Sequence, residues 1–329
     1  MLDSDLFRAL IGEASLAPSV HNIQPTRWRL LAADTVLMLE DGRRRVPVAD
    51  PGGHDVRLSH GAALEGLSLA CGRHGLRIAR VELDERPADA AGLRVIARLT
   101  LASGAMVDPL AMAVAGRSSW RGRFQPVDAA LQGALGKLAS VPDLHLVPPG
   151  PAATEIAALG DRAGFHFLCE DEHRRELLAW MRLSRSDPRY DRDGLNADAM
   201  GFGRIEAVGA SLVLGPLFPW LKRLGLAEPL SRERGKAAHG AIALFHRPEG
   251  EDPLETGRAF YRAWLAIAAQ GLGACPVSVL ADWPVSNAAL VQRHPLPAGR
   301  RLVNVFRLGR VVSGAAAARA RLPLAELIV

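Results

Sequence analysis

Apolar residues return at helical spacing from the start of the chain. Leu6, Leu10 and Ala14 share one face behind Asp3 and Ser4, either of which is a natural N-cap. The spacing predicts a helix that stops before Pro18, because the residue preceding a proline is pushed out of the α region. TRWRLLA (26–32) and TVLMLED (35–41) then read as a pair of strands. RLSHGAALEGLSLACGRHG (57–75) is a strongly apolar helix closed by Gly75, and GLRVIARLTL (92–101) is a strand.

A second series starts at Asp108–Pro109, which fits a cap followed by the first helical residue. PVDAALQGALGKLA (126–139) reads as a helix, DLHLV (143–147) as a short strand and about 152–183 as helical. The region 184–236 is rich in arginine, predicted irregular, and interrupted by the apolar run AVGASLVLGPLFPWL (207–221). That run fits a lid, a dimer surface or plain core. HGAIALFH (239–246) is a strand, LETGRAFYRAWLAIAAQGLG (254–273) a long helix and RLVNVFRLG (301–309) the last strong strand.

The two long helices are related. Residues 60–81 align without gaps on 256–277, matching Gly61/Gly257, Ala63/Ala259, Leu69/Leu265, Ala70/Ala266, Gly75/Gly271, Leu76/Leu272 and Val81/Val277. Shared helical composition explains part of this, but the paired Gly-Leu at the helix ends is harder to attribute to it. The chain is expected to be α+β, with two related halves, 1–105 and 106–329, as in a fused dimer.

Composition narrows the function. The chain has 329 residues, 49% of them hydrophobic, with a net charge of +5. Lysine occurs only at 137, 222 and 236, so nearly all the positive charge is arginine, suited to planar bidentate contacts with phosphates and carboxylates. Arginines are scattered among acids, so no nucleic-acid partner is expected. The apolar 207–221 run is short and broken for a membrane span, and the N-terminus lacks the pattern of a signal peptide. Three sparse cysteines (Cys71, Cys169, Cys275) fit a reducing compartment. A soluble, cytoplasmic protein is expected.

Several motifs fall away. GLGACP (271–276) lies at a helix end and lacks the third glycine of a dinucleotide fingerprint. Ser19 and His21 have no fitting acid nearby for a hydrolase triad. His166, Cys169 and His173 share a helical face without a partner cluster, so no metal is expected. Trp120, Trp180, Trp264 and Trp283 read as core. What remains is RSSWR (117–121). In an extended segment Arg117, Ser119 and Arg121 face one way and would cradle a phosphate; the alternative is a solvated basic turn.

APSVHNIQP (17–25), followed much later by RSSWR, resembles the flavin-binding signatures of the nitroreductase family. Thr26 stands where that family first has an aromatic, with Trp28 two residues on. The order, loop first and RxSxR about a hundred residues downstream, is similar to the Acg-type branch, in which one chain mimics the family's obligate dimer. The first half lacks an RxSxR, and the second lacks the Asn/Gln loop, so one complete site can form across the junction. The resemblance implies a nitroreductase-like fold of antiparallel-rich sheets packed by helices, holding FMN. Pro18, Ser19, Val20, Asn22 and Gln24 would line the flavin ring. Arg117, Ser119 and Arg121 would grip the phosphate, joined by Arg319 and Arg321. Pro276, Val277 and Ser278 would face the ring's reactive edge, and Ser278-Val279 stands where relatives often have Glu-Gly. Arg27, Arg29 and Gln24 are possible donors to the ring. The activity implied is electron transfer from NAD(P)H to a nitroaromatic, quinone or similar acceptor. The alternative is a protein that stores FMN under a cover with little turnover.

Overall fold

The Asp3 carboxylate accepts a hydrogen bond from the Leu6 amide at 2.8 Å and starts α1 (Ser4–Ala14), which buries Phe7, Leu10, Ile11 and Ala14. Strands β1 (Thr26–Ala32), β2 (Thr35–Asp41), β3 (Leu76–Leu83) and β4 (Leu93–Ser103) form one antiparallel sheet in the order β1-β2-β4-β3. Between β2 and β3 runs α2 (His54–Arg73), buried along most of its length. The computed structural model describes residues 2–329 except 85–86, 233–234, 236–237 and 313–318.

The second series repeats this plan. Helix α3 (Ala129–Leu138) is capped by Asp128, whose carboxylate accepts from the Leu131 amide at 2.9 Å. Strand β5 (Leu144–Val147) comes after it. Next are α4 (Pro151–Leu168), α5 (Asp171–Trp180) and a two-residue parallel pairing of β6 (Met181–Arg182) with β7 (Leu195–Asn196). Four short helices complete this excursion: α6 (Ala197–Met200), α7 (Arg204–Leu214), α8 (Phe218–Arg223) and α9 (Ala227–Ser231). Then come β8 (Ala241–Pro248), α10 (Pro253–Ala269), β9 (Gly273–Pro276), α11 (Val279–Asp282), α12 (Pro284–Arg293), β10 (Arg300–Gly309) and α13 (Leu324–Leu327). The second sheet has the order β5-β8-β10-β9, again antiparallel. In each sheet the last strand lies between the second and the third, and a long helix joins the second to the third.

Helices α2 and α10 cross at their matched glycines. A Cβ on Gly61 would lie 1.9 Å from the Leu254 carbonyl oxygen, and one on Gly257 would lie 1.9 Å from that of Leu58. No side chain fits either place, so the backbones touch. Both helices then end at a left-handed glycine, Gly75 at φ 70° and Gly271 at φ 71°, a conformation that costs glycine little. Apolar burial obeys the same plan. One core joins the first sheet to α1 and α2, with Tyr261 and Leu265 reaching in from α10. A second joins the second sheet to α3 and α10.

The chain's last residues return to the first sheet. Leu322 and Leu327 are buried in its core, Ile328 pairs with Trp28 as a parallel bridge, and the Val329 amide donates to the Trp28 carbonyl at 2.9 Å.

Several expectations change. The helical stretch from 152 breaks at Cys169–Glu170, the C-cap of α4 and the N-cap of α5. Asp108 does cap Pro109, but the element it starts is a single 3-10 turn, Pro109–Ala113. The 184–236 region is not irregular throughout, since α6–α9 lie in it; they are short and separated by Gly and Pro, which hid their period. Of the four tryptophans expected in the core, only Trp264 is buried; the other three are partly exposed. Among the described residues no helix is long and apolar enough to cross a membrane.

Candidate functional site

The stretch 18–25 cannot be an ordinary helix, and its backbone shows the cost. His21 (φ 41°), Asn22 (φ 55°) and Gln24 (φ 50°) all occupy the left-handed region. Each such non-glycine residue costs on the order of 1 kcal/mol or more and persists only where its surroundings enforce it. The enforcement is visible. The Ser19 hydroxyl accepts from the Gln24 amide at 2.9 Å, and the Val20 amide donates to Ser59 of α2 at 3.0 Å. Asn22 donates to the Gly194 and Ala320 carbonyls, each at 3.1 Å, and accepts from Arg321 at 3.0 Å. Gln24 donates to the Arg192 carbonyl at 2.8 Å and accepts from the Leu322 amide at 2.9 Å. The loop thus ties together α2, the turn at 192–194 and the C-terminal segment.

Above this loop lies a cavity of about 230 Å³. Pro18, Ser19, Val20 and Asn22 line it from the loop, Arg117, Ser119 and Arg121 from the RSSWR segment, Pro276 and Ser278 from the end of β9, and Arg319 and Arg321 from the C-terminal segment. The structure therefore gathers these sequence-nominated residues, from four separate stretches, around one space. Two are placed elsewhere. Gln24 does not line the cavity: its amide is consumed by Arg192 and Leu322, as burial requires. The side chain of Val277 packs with the Leu280 core on the far face of the second sheet, while its amide donates to Val305 at 2.7 Å. Arg27 and Arg29 do not line the cavity either: Arg27 is buried against Asp41 at 3.0 Å, and Arg29 donates to the Val329 carbonyl. None of 207–221 lines the cavity; Gly194, Leu195 and Ala199 are what the 184–236 region contributes. Much of the apolar run and its flanks, including Val208, Leu212, Trp220 and Leu224, is exposed.

Four guanidiniums share the cavity lining with two acids, Asp55 and Asp282. Arg117, Arg121, Arg319 and Arg321 face the cavity, and among the described residues none of them forms an ion pair. Their hydrogen bonds go almost wholly to carbonyls. Arg117 donates to Leu16 O at 2.8 Å and Arg121 to Ala199 O at 2.9 Å. Arg321 donates to Ser15 O at 2.6 Å and Leu16 O at 3.1 Å, and Arg319 donates to Ala115 O at 2.6 Å and to the Arg117 carbonyl. Arg117 is only 3% exposed and stacks over Trp264, 4.5 Å from the ring centroid. Burial pulls the Arg117 guanidinium down to about 10, with Arg319 adding repulsion against the offset from Tyr261. Burial pulls Arg321 down to about 9, helped by Arg117 and Arg319.

Three further titratable groups line the cavity: His21, which the sequence set aside as part of a hydrolase triad, and Asp55 and Asp282, which it did not single out. His21 has a buried Nδ1 without a partner; burial, then His173 and Arg121, holds its imidazole down at about 4. Asp55, in the first turn of α2, is pushed up to about 7 by burial, then by Asp282 and Asp50. Asp282 is pushed up to about 6 by burial, with Asp50 adding to this and a hydrogen bond from Ser278 opposing it. An acid in the first turn of a helix is so common near the positive end of the dipole that Asp55 carried no signal in the sequence.

No family model matches the chain. It is 27% identical over 284 residues to two curated proteins of Mycobacterium tuberculosis, from strains CDC 1551 and H37Rv, both provisionally named NAD(P)H nitroreductase. Each match covers 84% of this chain and 77% of the relative. Among solved structures, the FMN-dependent nitroreductase NfnB of Mycobacterium smegmatis in complex with NADPH is 17% identical, with a TM-score of 0.36, covering 66% of this chain and 97% of the other. A nitroreductase with bound FMN from Bacteroides fragilis is 13% identical, with a TM-score of 0.33, covering 64% of this chain and 92% of the other.

Proposed function

We infer that this nitroreductase-family chain holds FMN in the cavity and acts as an NAD(P)H-dependent oxidoreductase. The observation that carries the reading is the set of four guanidiniums, Arg117, Arg121, Arg319 and Arg321, facing one cavity with none of them ion-paired to a carboxylate among the described residues. A buried cation without a counterion is costly, as for Arg117, and a phosphate dianion would offset the mutual repulsion of this arginine cluster. Each charge-assisted bond to it contributes roughly 1.5–3 kcal/mol. The donor set therefore fits the phosphate of FMN, and the left-handed loop at 18–25 supplies a rigid floor for the ring.

When bound, FMN would accept hydride from NAD(P)H and pass two electrons to a nitroaromatic, a quinone or a related acceptor. The chain's own part is positional. Arg117, Ser119 and Arg121 from one segment and Arg319 and Arg321 from another anchor the anionic end. Pro18–Asn22 from one half of the repeat and Pro276 and Ser278 from the other approach the cavity, which fits one site built across their junction, as in a dimer fused into one chain.

Storage of FMN with little turnover is a second reading, favoured by one feature. The turn at 192–194 and the C-terminal segment are hydrogen-bonded to the loop through Asn22 and Gln24, so Gly194 and Ala320 line the cavity from fixed positions.

The absorption spectrum of the purified protein tests both. A bound flavin band that bleaches quickly with anaerobic NADPH supports the oxidoreductase; a band that persists under excess NADPH supports storage. A colourless protein that takes up no added FMN, or an Arg117→Ala/Arg321→Ala variant that retains flavin as well as the parent, would overturn the flavin reading.

A further inference from the structure

We propose that the outer face of α7–α9 is a docking surface for an anionic lipid bilayer, on which the protein lies without crossing it. Residues 205–230 do not line the cavity, so the surface is independent of the flavin reading.

Three short helices build the face. Eight of the nineteen large apolar side chains exposed among the described residues fall within 205–230. On α7, Ile205, Val208 and Leu212 recur at helical spacing and share one side, with Ile205 89% exposed. On α8, Trp220 is 65% exposed and Leu224, one turn on, 69%. Leu226 and Leu230 are spaced in the same way along α9. Single exposed apolar residues are ordinary on a protein surface; a concentration of this kind marks a contact.

The opposite sides of these helices are already packed. Ala207 of α7 lies in a small core with Tyr190 and Ala197. Phe218 of α8 is buried beneath the Arg174 guanidinium, whose carbon is 4.3 Å from the ring centroid. Arg174 is itself held by Asp171 at 2.7 Å. The segment is therefore pinned on its inner side, and the outer apolar residues have no further interior to enter.

Charge decides the occupant. The two acids of the segment are engaged within it: the Glu206 carboxylate accepts from the Gly203 amide at 2.7 Å, and Glu228 pairs with Arg232 at 3.0 Å. Arg204, Lys222 and Arg223 are exposed and form no ion pair among the described residues. Lys222 donates to the Cys169 carbonyl at 3.3 Å, which leaves its charge uncompensated. A second copy docked by a two-fold contact would bring these cations toward their own counterparts, with no uncommitted acid of the segment to meet them. An anionic bilayer satisfies both kinds of group. Its acyl region takes the tryptophan and the leucines, and its headgroup phosphates take the cations. Tryptophan beside Lys and Arg suits the boundary between the two.

The test sediments the purified full-length protein with vesicles of phosphatidylcholine, alone or mixed with phosphatidylglycerol. We expect binding to the mixed vesicles and at least about tenfold weaker partition onto phosphatidylcholine alone, with high salt weakening the former. Lys222→Gln/Arg223→Gln should lower partition onto mixed vesicles roughly thirtyfold. Trp220→Ser/Leu224→Ser should abolish it at an unchanged melting temperature, since both side chains are exposed. Ile205→Ser, on a different helix, should weaken it as well and provides the same reading if the α8 variant is unstable. Failure of the parent to sediment with mixed vesicles would overturn the proposal, and a dimer in ultracentrifugation that Trp220→Ser/Leu224→Ser dissolves would then assign the face to a second copy. Undiminished binding by the α8 or α7 variants would also overturn it. Flavin colour plays no part in the readout.

Discussion

Gly61 and Gly257 meet the opposite helix in the same way: each has its missing Cβ 1.9 Å from a carbonyl oxygen, that of Leu254 for Gly61 and that of Leu58 for Gly257. The contacts are related by the same offset as the sequence repeat, so the crossing of α2 and α10 has an approximate two-fold axis. Alanine at either position must push the helices apart. We expect Gly61→Ala and Gly257→Ala each to cost about 3 kcal/mol or more in urea unfolding. Gly75→Ala meets open space and is penalised only for its left-handed φ, by about 1 kcal/mol. Equal losses at all three positions would disprove the close crossing.

The guanidinium cluster makes an anion prediction that does not involve flavin. Inorganic phosphate should raise the melting temperature of the flavin-free protein beyond the effect of chloride at equal ionic strength. The gain is about 2.7 kcal/mol at a hundred times the dissociation constant. It should disappear in Arg321→Ala, whose parent side chain is fixed by Ser15, Leu16 and Asn22. A similar rise in the variant would mean that phosphate binds elsewhere.

Asn22 separates hydrogen bonding from backbone strain. Asn22→Ala abandons the Gly194 and Ala320 carbonyls and Arg321 while keeping a Cβ at φ 55°. A loss of about 2–3 kcal/mol is expected. Asn22→Gly removes the same bonds but relieves the dihedral, so it should be less destabilised, by several tenths to about 1 kcal/mol. Differential scanning calorimetry reads the order; the reverse order would contradict the strained loop.

Two cavity groups should pull stability in opposite directions with pH. His21 has a folded value near 4, below its unfolded value, so the stability of its neutral form is lost as pH falls from about 6.5 toward 4. Asp55 has a folded value near 7, above its unfolded value, so its contribution is present below about 4 and is lost as pH rises through 7. The slopes partly cancel in the parent. His21→Gln should therefore gain stability relative to the parent as pH falls from 6.5 to 4, and Asp55→Asn should gain relative to the parent as pH rises from 4 to 7. Parallel pH profiles for parent and variants would refute both assignments.

The period of apolar residues fixed most helices and strands in advance, because a buried face repeats at 3.6 or 2 residues whatever it packs against. The correspondence of Gly61 with Gly257 was legible as part of a repeat, but the close contact that each makes with the opposite helix was not, since it depends on how α2 and α10 cross. The RSSWR alternation and the strained 18–25 loop were visible for a similar reason, as polar clusters where no regular element can form. What the sequence could not supply was the use of each side chain. Asn22 and Gln24 look like ligand donors until the fold brings Arg192, Gly194, Ala320 and Leu322 to them. Asp55 and Asp282 look like ordinary surface acids until α2 and α11 set them in one cavity. Hydrogen-bond partners and shifted acidities depend on neighbours hundreds of residues away along the chain, and only the closed tertiary structure decides them.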